Sequence, residues 1–248
     1  MDKPVIFDLT GSMLIPRAFL YRIRTGLNRG GLCIMPSDTC YALVGIPVLR
    51  GVCDDINLIL DRGREPISAT FGTQRLAERF VNFNTAALHI IDEFAPGPIT
   101  IVAPLKAGLP QELASALNGA LNNPKREIAV RFPDSPAEVQ LSSELERPLT
   151  TTAIYYRDKT PVRSFGDAVD IVYEGATAAG IERELYAVRR RRGKFLLNLS
   201  TVLEIDAPTT ARGTRYTIFR EGEVTEHQVR RKLAALDRYF VRRGDEWE

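Results

Sequence analysis

The sequence predicts a mixed α/β fold, a layered sheet with helices packed on it. Three observations predict it. Short apolar runs alternate with amphipathic stretches over most of the chain, the pattern of strand and helix in turn. At 248 residues the chain is long enough to bury a sizeable core. Its 44% apolar and 26% charged content is that of an ordinary globular protein.

The elements follow in order. Residues 18–29 predict a helix, with Phe19, Leu20, Ile23 and Leu27 at helical spacing and Asn28-Arg29-Gly30-Gly31 ending it. Residues 32–35 predict a short buried strand that stops at Pro36, and residues 51–61 a helix carrying Val52, Ile56, Leu58 and Ile59. Residues 67–71 predict a strand, 73–80 and 84–94 helices, and Ala95-Pro96-Gly97-Pro98 a break. A strand over 99–103 precedes a helix over 111–121, which Asn122-Asn123-Pro124 ends. Residues 127–132 alternate Ile128, Val130 and Phe132 as a strand does. A helix over 136–145, a strand over 149–153, and a turn or helix over 164–170 leading into a strand at 171–173 come next. Residues 177–195 lack strand character and read as a helical or mobile basic insertion. Late strands are expected at 196–203 and 216–220. Residues 225–239 predict a basic amphipathic helix with Val229, Leu233, Leu236 and Phe240 on its apolar face. The expected organisation is one domain over 1–222, followed by a basic C-terminal helix and tail over 223–248.

Composition excludes several classes. No apolar stretch is long enough to cross a bilayer, and the N-terminus MDKPVIFDLTGS does not read as a secretory signal. Cys33, Cys40 and Cys53 form no C-x-x-C pair, and with two histidines in the chain no protein zinc site is expected. They read as free thiols of a reducing cytosol. The net charge of +2 by itself implies no polyanion partner. The positive charge is concentrated, however, in Arg189-Arg190-Arg191-Arg192 with Lys194, and again in Arg230, Arg231, Lys232, Arg238, Arg242 and Arg243. Either group suits phosphate, or is simply a solvated face.

The stretch MPSDTCYALVG, residues 35–45, sets hydroxyls and one carboxylate directly after a buried strand. Loops at strand ends are where sheets present ligand-binding groups. Ser37 and Thr39 can donate to an anion or accept from an amine, Tyr41 can pack and present its hydroxyl, and Asp38 can bond its own backbone to hold the loop. A capped turn before a helix would look the same. Neither a P-loop nor a G-x-G-x-x-G pattern occurs, so a nucleotide site here has to be built from hydroxyls and arginines.

Residues 30–43, GGLCIMPSDTCYAL, resemble the opening signature of the YrdC-like family: G-G, an apolar run, then P-T-D-T-x-Y-G-L. Further family signatures follow in order. FAPGPIT at 94–100 resembles W-P-G-P-L-T, and IAVRFPD at 128–134 resembles V-A-V-R-V-P-D. Pro148-Leu149 with the threonines after it resembles P-L-x-x-T-S-A-N, Ser200-Thr201-Val202 resembles S-T-V, and Arg220-Glu221-Gly222 resembles R-x-G. The resemblance implies a twisted mixed parallel and antiparallel sheet, flanked by helices, around a positively charged cleft. It implies ATP with Mg2+ as cofactors and the condensation of ATP, bicarbonate and L-threonine into threonylcarbamoyl-AMP, the donor for a tRNA modification. It also implies RNA, as tRNA or a double strand, as a partner. Residue by residue, Arg131 would grip the amino-acid carboxylate, Ser37, Thr39 and Tyr41 would line its pocket, and Ser200 would sit across the cleft. Arg220, Thr151 and Thr152 would bind ATP. Arg62 and Arg64 would bind its phosphates and, with Thr39, carry the catalysis. Arg189, Arg190, Arg191, Arg192 and Lys194 are the RNA-binding candidates. Arg131→Ala is expected to abolish amino-acid-dependent turnover with the fold intact.

Two departures stand out. The family's phosphate-gripping K-x-R and K-P-L fall on Asp61-Arg62-Gly63-Arg64-Glu65-Pro66-Ile67, and arginine for lysine is not a neutral exchange. T-S-A-N falls on Thr152-Ala153-Ile154-Tyr155, which removes the serine and the asparagine. The YciO branch of the family also departs there, and Tyr41-Ala42-Leu43 resembles that branch. A catalytically altered nucleotide- or RNA-binding relative, or a carbamoyl-transfer enzyme with another acceptor, is therefore the alternative.

Overall fold

The structure is a computed structural model that describes residues 3–63, 66–111, 113, 114, 117, 126–206 and 214–244, the last eight by backbone only. Its elements run β1 (Val5–Asp8), α1 (Arg17–Asn28), β2 (Leu32–Pro36), β3 (Tyr41–Val44), α2 (Val52–Ile59), β4 (Ser68–Thr70), α3 (Gln74–Ala77), α4 (Thr85–Phe94), β5 (Ile99–Pro104), β6 (Glu127–Arg131), α5 (Pro136–Leu145), β7 (Leu149–Ala153), α6 (Phe165–Ala178), β8 (Leu185–Arg189), β9 (Thr201–Ile205), β10 (Tyr216–Arg220) and α7 (Glu226–Gly244). The helix expected over 111–121 lies largely outside the described residues.

The strands form one mixed sheet in the order β1-β8-β2-β3-β7-β4-β6-β5-β9-β10. Four pairs are parallel (β1 with β8, β8 with β2, β4 with β6, β5 with β9) and the other five are antiparallel. Strand β2 is buried along its whole length. Leu32 and Ile34 enter one apolar cluster, while Cys33 and Met35 enter a second on the opposite face. A continuous apolar run is what a strand covered on both sides requires.

The two faces are covered unequally, and this creates the site. Helices α2, α3, α4, α6 and α7 all contribute to the first cluster. On the second face, among the described residues, α1, through Leu20, Ile23 and Leu27, and α5, through Ala137 and Leu141, pack on the sheet. They cover the half built from β1, β8, β2 and β3. Among the described residues no helix covers the second face of β4, β6, β5 and β9, and a cleft opens there.

Four expectations change. Residues 171–173 are not a strand, because α6 runs unbroken from Phe165 to Ala178. Ile171-Val172-Tyr173 favours a strand locally, but Ala168, Val172 and Ala176 make a buried stripe at helical spacing and Ser164 caps the helix. Residues 177–195 are not an insertion, since Leu185–Arg189 is the buried strand β8 between β1 and β2. Its flanking charges, Glu182, Arg183 and Glu184 before and the arginines after, hid it. The strand expected at 196–203 begins only at Thr201. Strand β2 does not stop at Pro36, which pairs with Tyr41 as the last rung of a hairpin to β3. Helix α7 buries Val229, Leu233 and Leu236 in the same cluster as the rest of the chain. That is about 1.5–3 kcal/mol for each large side chain fully withdrawn from water.

Candidate active site

Ser37-Asp38-Thr39-Cys40 is the loop of the β2–β3 hairpin, closed by the Ser37 amide donating to the Cys40 carbonyl at 2.9 Å. It abuts the uncovered half of the sheet. There a cavity of about 440 Å3 is lined by Ser37, Thr39, Arg62, Arg131, Thr151, Ser200 and Arg220, among others. These residues come from the hairpin, the end of α2, and strands β6, β7 and β10, with Ser200 immediately before β9. The sheet therefore gathers residues up to 183 positions apart in sequence, Ser37 and Arg220.

Arg131 is the centre of the arrangement. It ends β6 and is 5% exposed. One terminal nitrogen pairs with the buried carboxylate of Asp38, and the other donates to Ser37 Oγ at 3.1 Å. Its Nε is buried and has no hydrogen-bond partner among the described residues. Asp38 does not bond its own backbone, as its sequence position suggested. Its second oxygen accepts from the Asp134 amide at 3.2 Å, and Ser135 Oγ donates to the Pro36 carbonyl at 2.8 Å. The hairpin loop is thereby fixed to the segment after β6, and a buried guanidinium is held with one donor unspent.

At the other wall, Ser200 Oγ accepts from Thr100 Oγ1 at 3.0 Å and from Arg220 Nη2 at 3.1 Å. Two donors on one hydroxyl leave its own proton directed elsewhere. Arg220 also donates to the Ser200 carbonyl, at 3.0 Å. Arg62 is held at the rim by Asn57 Oδ1 at 3.0 Å and the Pro66 carbonyl at 3.3 Å. Arg163 donates to the carbonyls of Thr39 at 3.1 Å and Leu196 at 3.0 Å, tying the segment before Ser200 to the hairpin loop.

The sequence reading missed Glu138. It lies in the first turn of α5, is 0% exposed, and sits behind the cavity wall. Ser37 Oγ donates to its Oε2 at 2.7 Å, and Thr151 Oγ1 and Thr70 Oγ1 donate to its Oε1 at 3.0 and 3.3 Å. The only available signal was a carboxylate three positions before Leu141, on the side of the helix that Ala137 and Leu141 bury. Burial pushes its carboxyl above the usual range, against the opposing pull of Arg131 and the donating hydroxyls. Between its ordinary and its raised value the folded chain holds a proton that the unfolded chain has released. Stability therefore falls as pH rises through that window. Glu138→Gln removes the titrating group at constant size and is expected to flatten that slope. Urea unfolding at a series of pH values from about 4 to about 8 measures it, and a wild-type slope in the variant would place the titration elsewhere.

The family model described as Sua5_yciO_yrdC, telomere recombination, matches residues 25–181, more than half of the chain. The chain belongs to the Sua5/YciO/YrdC family. A Methanocaldococcus jannaschii protein named "Putative threonylcarbamoyl-AMP synthase" is 30% identical over 132 residues, 53% of this chain and 58% of that protein. This chain thus spans little more than half of that relative. Among solved structures, P. abyssi Sua5 complexed with L-threonine superposes with a TM-score of 0.69 at 19% identity, over 92% of this chain and 60% of that one. E. coli YciO gives 0.65 at 16% identity, over 90% and 97%. The mixed sheet with flanking helices is the fold of both.

Against the family pattern, several expected Sua5/YciO/YrdC site residues behave differently. Tyr41 does not line the cavity. Its ring packs edge-on against Phe165 and Phe195, and its hydroxyl accepts from the Arg190 amide at 3.2 Å. Thr152 borders the cavity, but it pairs with Leu43 of the first cluster and so points to the other face from Thr151. Its buried hydroxyl has no partner among the described residues. Ile154, at the alanine position of the family motif, is fully buried, while Ala153 and Tyr155, at its serine and asparagine positions, line the cavity. Arg64 lies outside the described residues. The basic run is partly committed within the chain. Arg189 and Arg191 share Asp8, whose carboxyl they hold well below the usual range. Arg190 turns back onto the Arg192 and Lys194 carbonyls, with its guanidinium 4.6 Å from the Phe195 ring centre. Arg191, Arg192 and Lys194 remain exposed. All three cysteines are free and buried, and burial pushes the cavity-lining Cys40 thiol up to about 11. No described helix is long and apolar enough to cross a membrane.

Proposed function

We propose that the cavity forms a carbamoyl adenylate from ATP, bicarbonate and an amino acid, with L-threonine the first candidate, as the donor for a tRNA modification. Family membership and the printed names of the relatives support the class. The observation that carries the reading is the gathering of Arg131, Ser200, Arg220, Arg62 and the hairpin hydroxyls around one cavity. The amine of the amino acid and bicarbonate yield a carbamate and water. A carbamate oxygen then bonds to the α-phosphorus of ATP, and the bond to the β-phosphate oxygen breaks to release pyrophosphate. Negative charge builds on phosphate oxygens, so fixed donors and positioning do the work. Arg131 Nε, buried and unpaired, suits a carboxylate oxygen. Arg220 and the Ser200 proton suit an anion at the opposite wall, and Arg62 suits the triphosphate at the rim. Magnesium would travel on the triphosphate and neutralise it. The cavity-lining carboxylates of Glu127 and Glu204 are donors suited to a hard cation.

Pyrophosphate release by the pure protein with ATP, magnesium and bicarbonate is the test. Release that depends on L-threonine is the expected result. Release that depends on another amine would keep the chemistry and change the substrate. A second reading, nucleotide or RNA binding without turnover, is favoured by Ala153 and Tyr155 lining the cavity where the family motif has serine and asparagine. ATP binding with no release under any amine would select it, and RNA binding through Arg191, Arg192 and Lys194 would then weaken steeply with salt.

A further inference from the structure

The two ends of the cavity differ in hydrogen-bond polarity, and Glu138 is the reason. A hydroxyl has one proton. The Ser37 and Thr151 protons both lie on the Glu138 carboxylate, at 2.7 and 3.0 Å, with Asp38 Oδ1 a longer alternative for Ser37 at 3.3 Å, so toward the cavity these side chains offer lone pairs, one of Ser37's two being taken by Arg131. Ser200 is the reverse: it accepts from Thr100 and Arg220 and keeps its proton to give. The charges agree. Around Ser37 stand the guanidinium of Arg131 and the two carboxylates of Asp38 and Glu138, all buried, and Asp38 already pairs with the guanidinium. An anionic oxygen placed between Ser37 and Thr151 would face lone pairs and an unmatched carboxylate. An N–H group would find acceptors.

We propose that Glu138 is a positioning residue that sets the specificity of the inner end of the cavity: by holding the Ser37 and Thr151 protons it makes the group lodged between them a hydrogen-bond donor. On the functional reading above, that group is the amine of the amino-acid substrate. The carboxylate of the same molecule then lies toward Arg131 Nε, and the nucleotide toward Ser200 and Arg220.

Two small probes of equal length and opposite charge test this without ATP or turnover. Ethanolamine and glycolate are titrated into the isotope-labelled full-length chain, and the backbone amides of Ser37, Thr39 and Thr151 are followed by NMR. Ethanolamine is expected to shift them saturably, with glycolate weaker by about tenfold, the worth of one charge-assisted hydrogen bond. Glu138→Gln sets an amide N–H against Ser37 or Thr151 in place of a carboxylate oxygen, which frees that hydroxyl's proton for the cavity or, at Ser37, for Asp38 Oδ1. The preference is expected to shrink by about tenfold or invert. Thr151→Val keeps Glu138 and deletes one acceptor, so it covers the case in which the glutamine variant does not fold. It is expected to weaken ethanolamine and leave glycolate unchanged. A purely structural Glu138 would lower stability without changing the ratio. Failure of ethanolamine to bind, glycolate shifting the Thr151 amide as tightly as ethanolamine does, or an unchanged ratio in either variant overturns the proposal. A chain that prefers ethanolamine yet releases no pyrophosphate would overturn the functional reading and keep this one.

Discussion

Arg131→Ala is expected to abolish amino-acid-dependent pyrophosphate release and to remove about 3–5 kcal/mol of stability as well. The sequence reading expected the fold to stay intact. The structure corrects that, because the guanidinium is buried against Asp38, which is itself buried, and also holds Ser37. Alanine leaves the Asp38 carboxylate in the interior with two neutral donors to hold it, the Asp134 amide at 3.2 Å and the Ser37 hydroxyl at 3.3 Å. An uncompensated buried charge of this kind is among the few causes of a large single-site loss. Denaturant unfolding reads the loss directly, as a shifted midpoint at constant slope. Adding Asp38→Asn to the alanine variant removes the stranded charge and is expected to restore part of the stability and none of the turnover. A variant as stable as the wild type would show that the pair contributes nothing net to folding. Full amino-acid-dependent activity would remove Arg131 from the site.

The second large effect is expected at Gly222. A β-carbon there would lie 2.1 Å from the Leu199 carbonyl oxygen and 2.8 Å from the Ser200 carbonyl carbon. Both contacts are backbone, so no side chain can rotate away. Gly222 follows β10 and is stitched to the start of β9, its amide donating to Thr201 Oγ1 at 2.9 Å. The Glu223 amide donates to the Leu199 carbonyl at 2.8 Å. Leu199 and Ser200 are cavity wall. Gly222→Ala must therefore push the Leu199–Ser200 backbone away and loosen the Ser200–Arg220 contact. A cost of about 1–3 kcal/mol is expected from the overpacking, with a fall in melting temperature of about 2–4 °C per kcal/mol for a chain of this size. Nucleotide affinity should fall with it. A melting temperature and ATP affinity equal to the wild type would mean that this wall yields without consequence.

Much of this architecture is legible in the sequence, for reasons that lie in local chemistry. Helical spacing and caps place α1, α2, α4 and α5. Alternation places β6, and an apolar run bounded by turn residues places β2 and β5. The ordered signatures single out Ser37, Thr39, Arg131, Ser200 and Arg220, which all border one cavity. The misses share a cause. Strand β8 is short, and charged on both sides, and only its place between β1 and β2 makes it a strand. Helix α6 overrides a strand-forming triplet because its stripe of small residues packs against α2. There a β-carbon at Gly175 would lie 2.1 Å from the Ile59 carbonyl oxygen.

The functional polarity of the site was decided by the tertiary structure alone. Residue type makes Ser37, Thr151 and Ser200 interchangeable hydroxyls, each able to donate or accept. Which of them donates depends on the partner behind it. For Ser37 and Thr151 that partner is Glu138, 101 and 13 positions away along the chain. The pairing of Arg131 with Asp38 likewise joins residues 93 positions apart. Local sequence sets backbone preferences over a few residues. The direction of a hydroxyl proton and the burial of a charge are set by neighbours that only the folded sheet brings together.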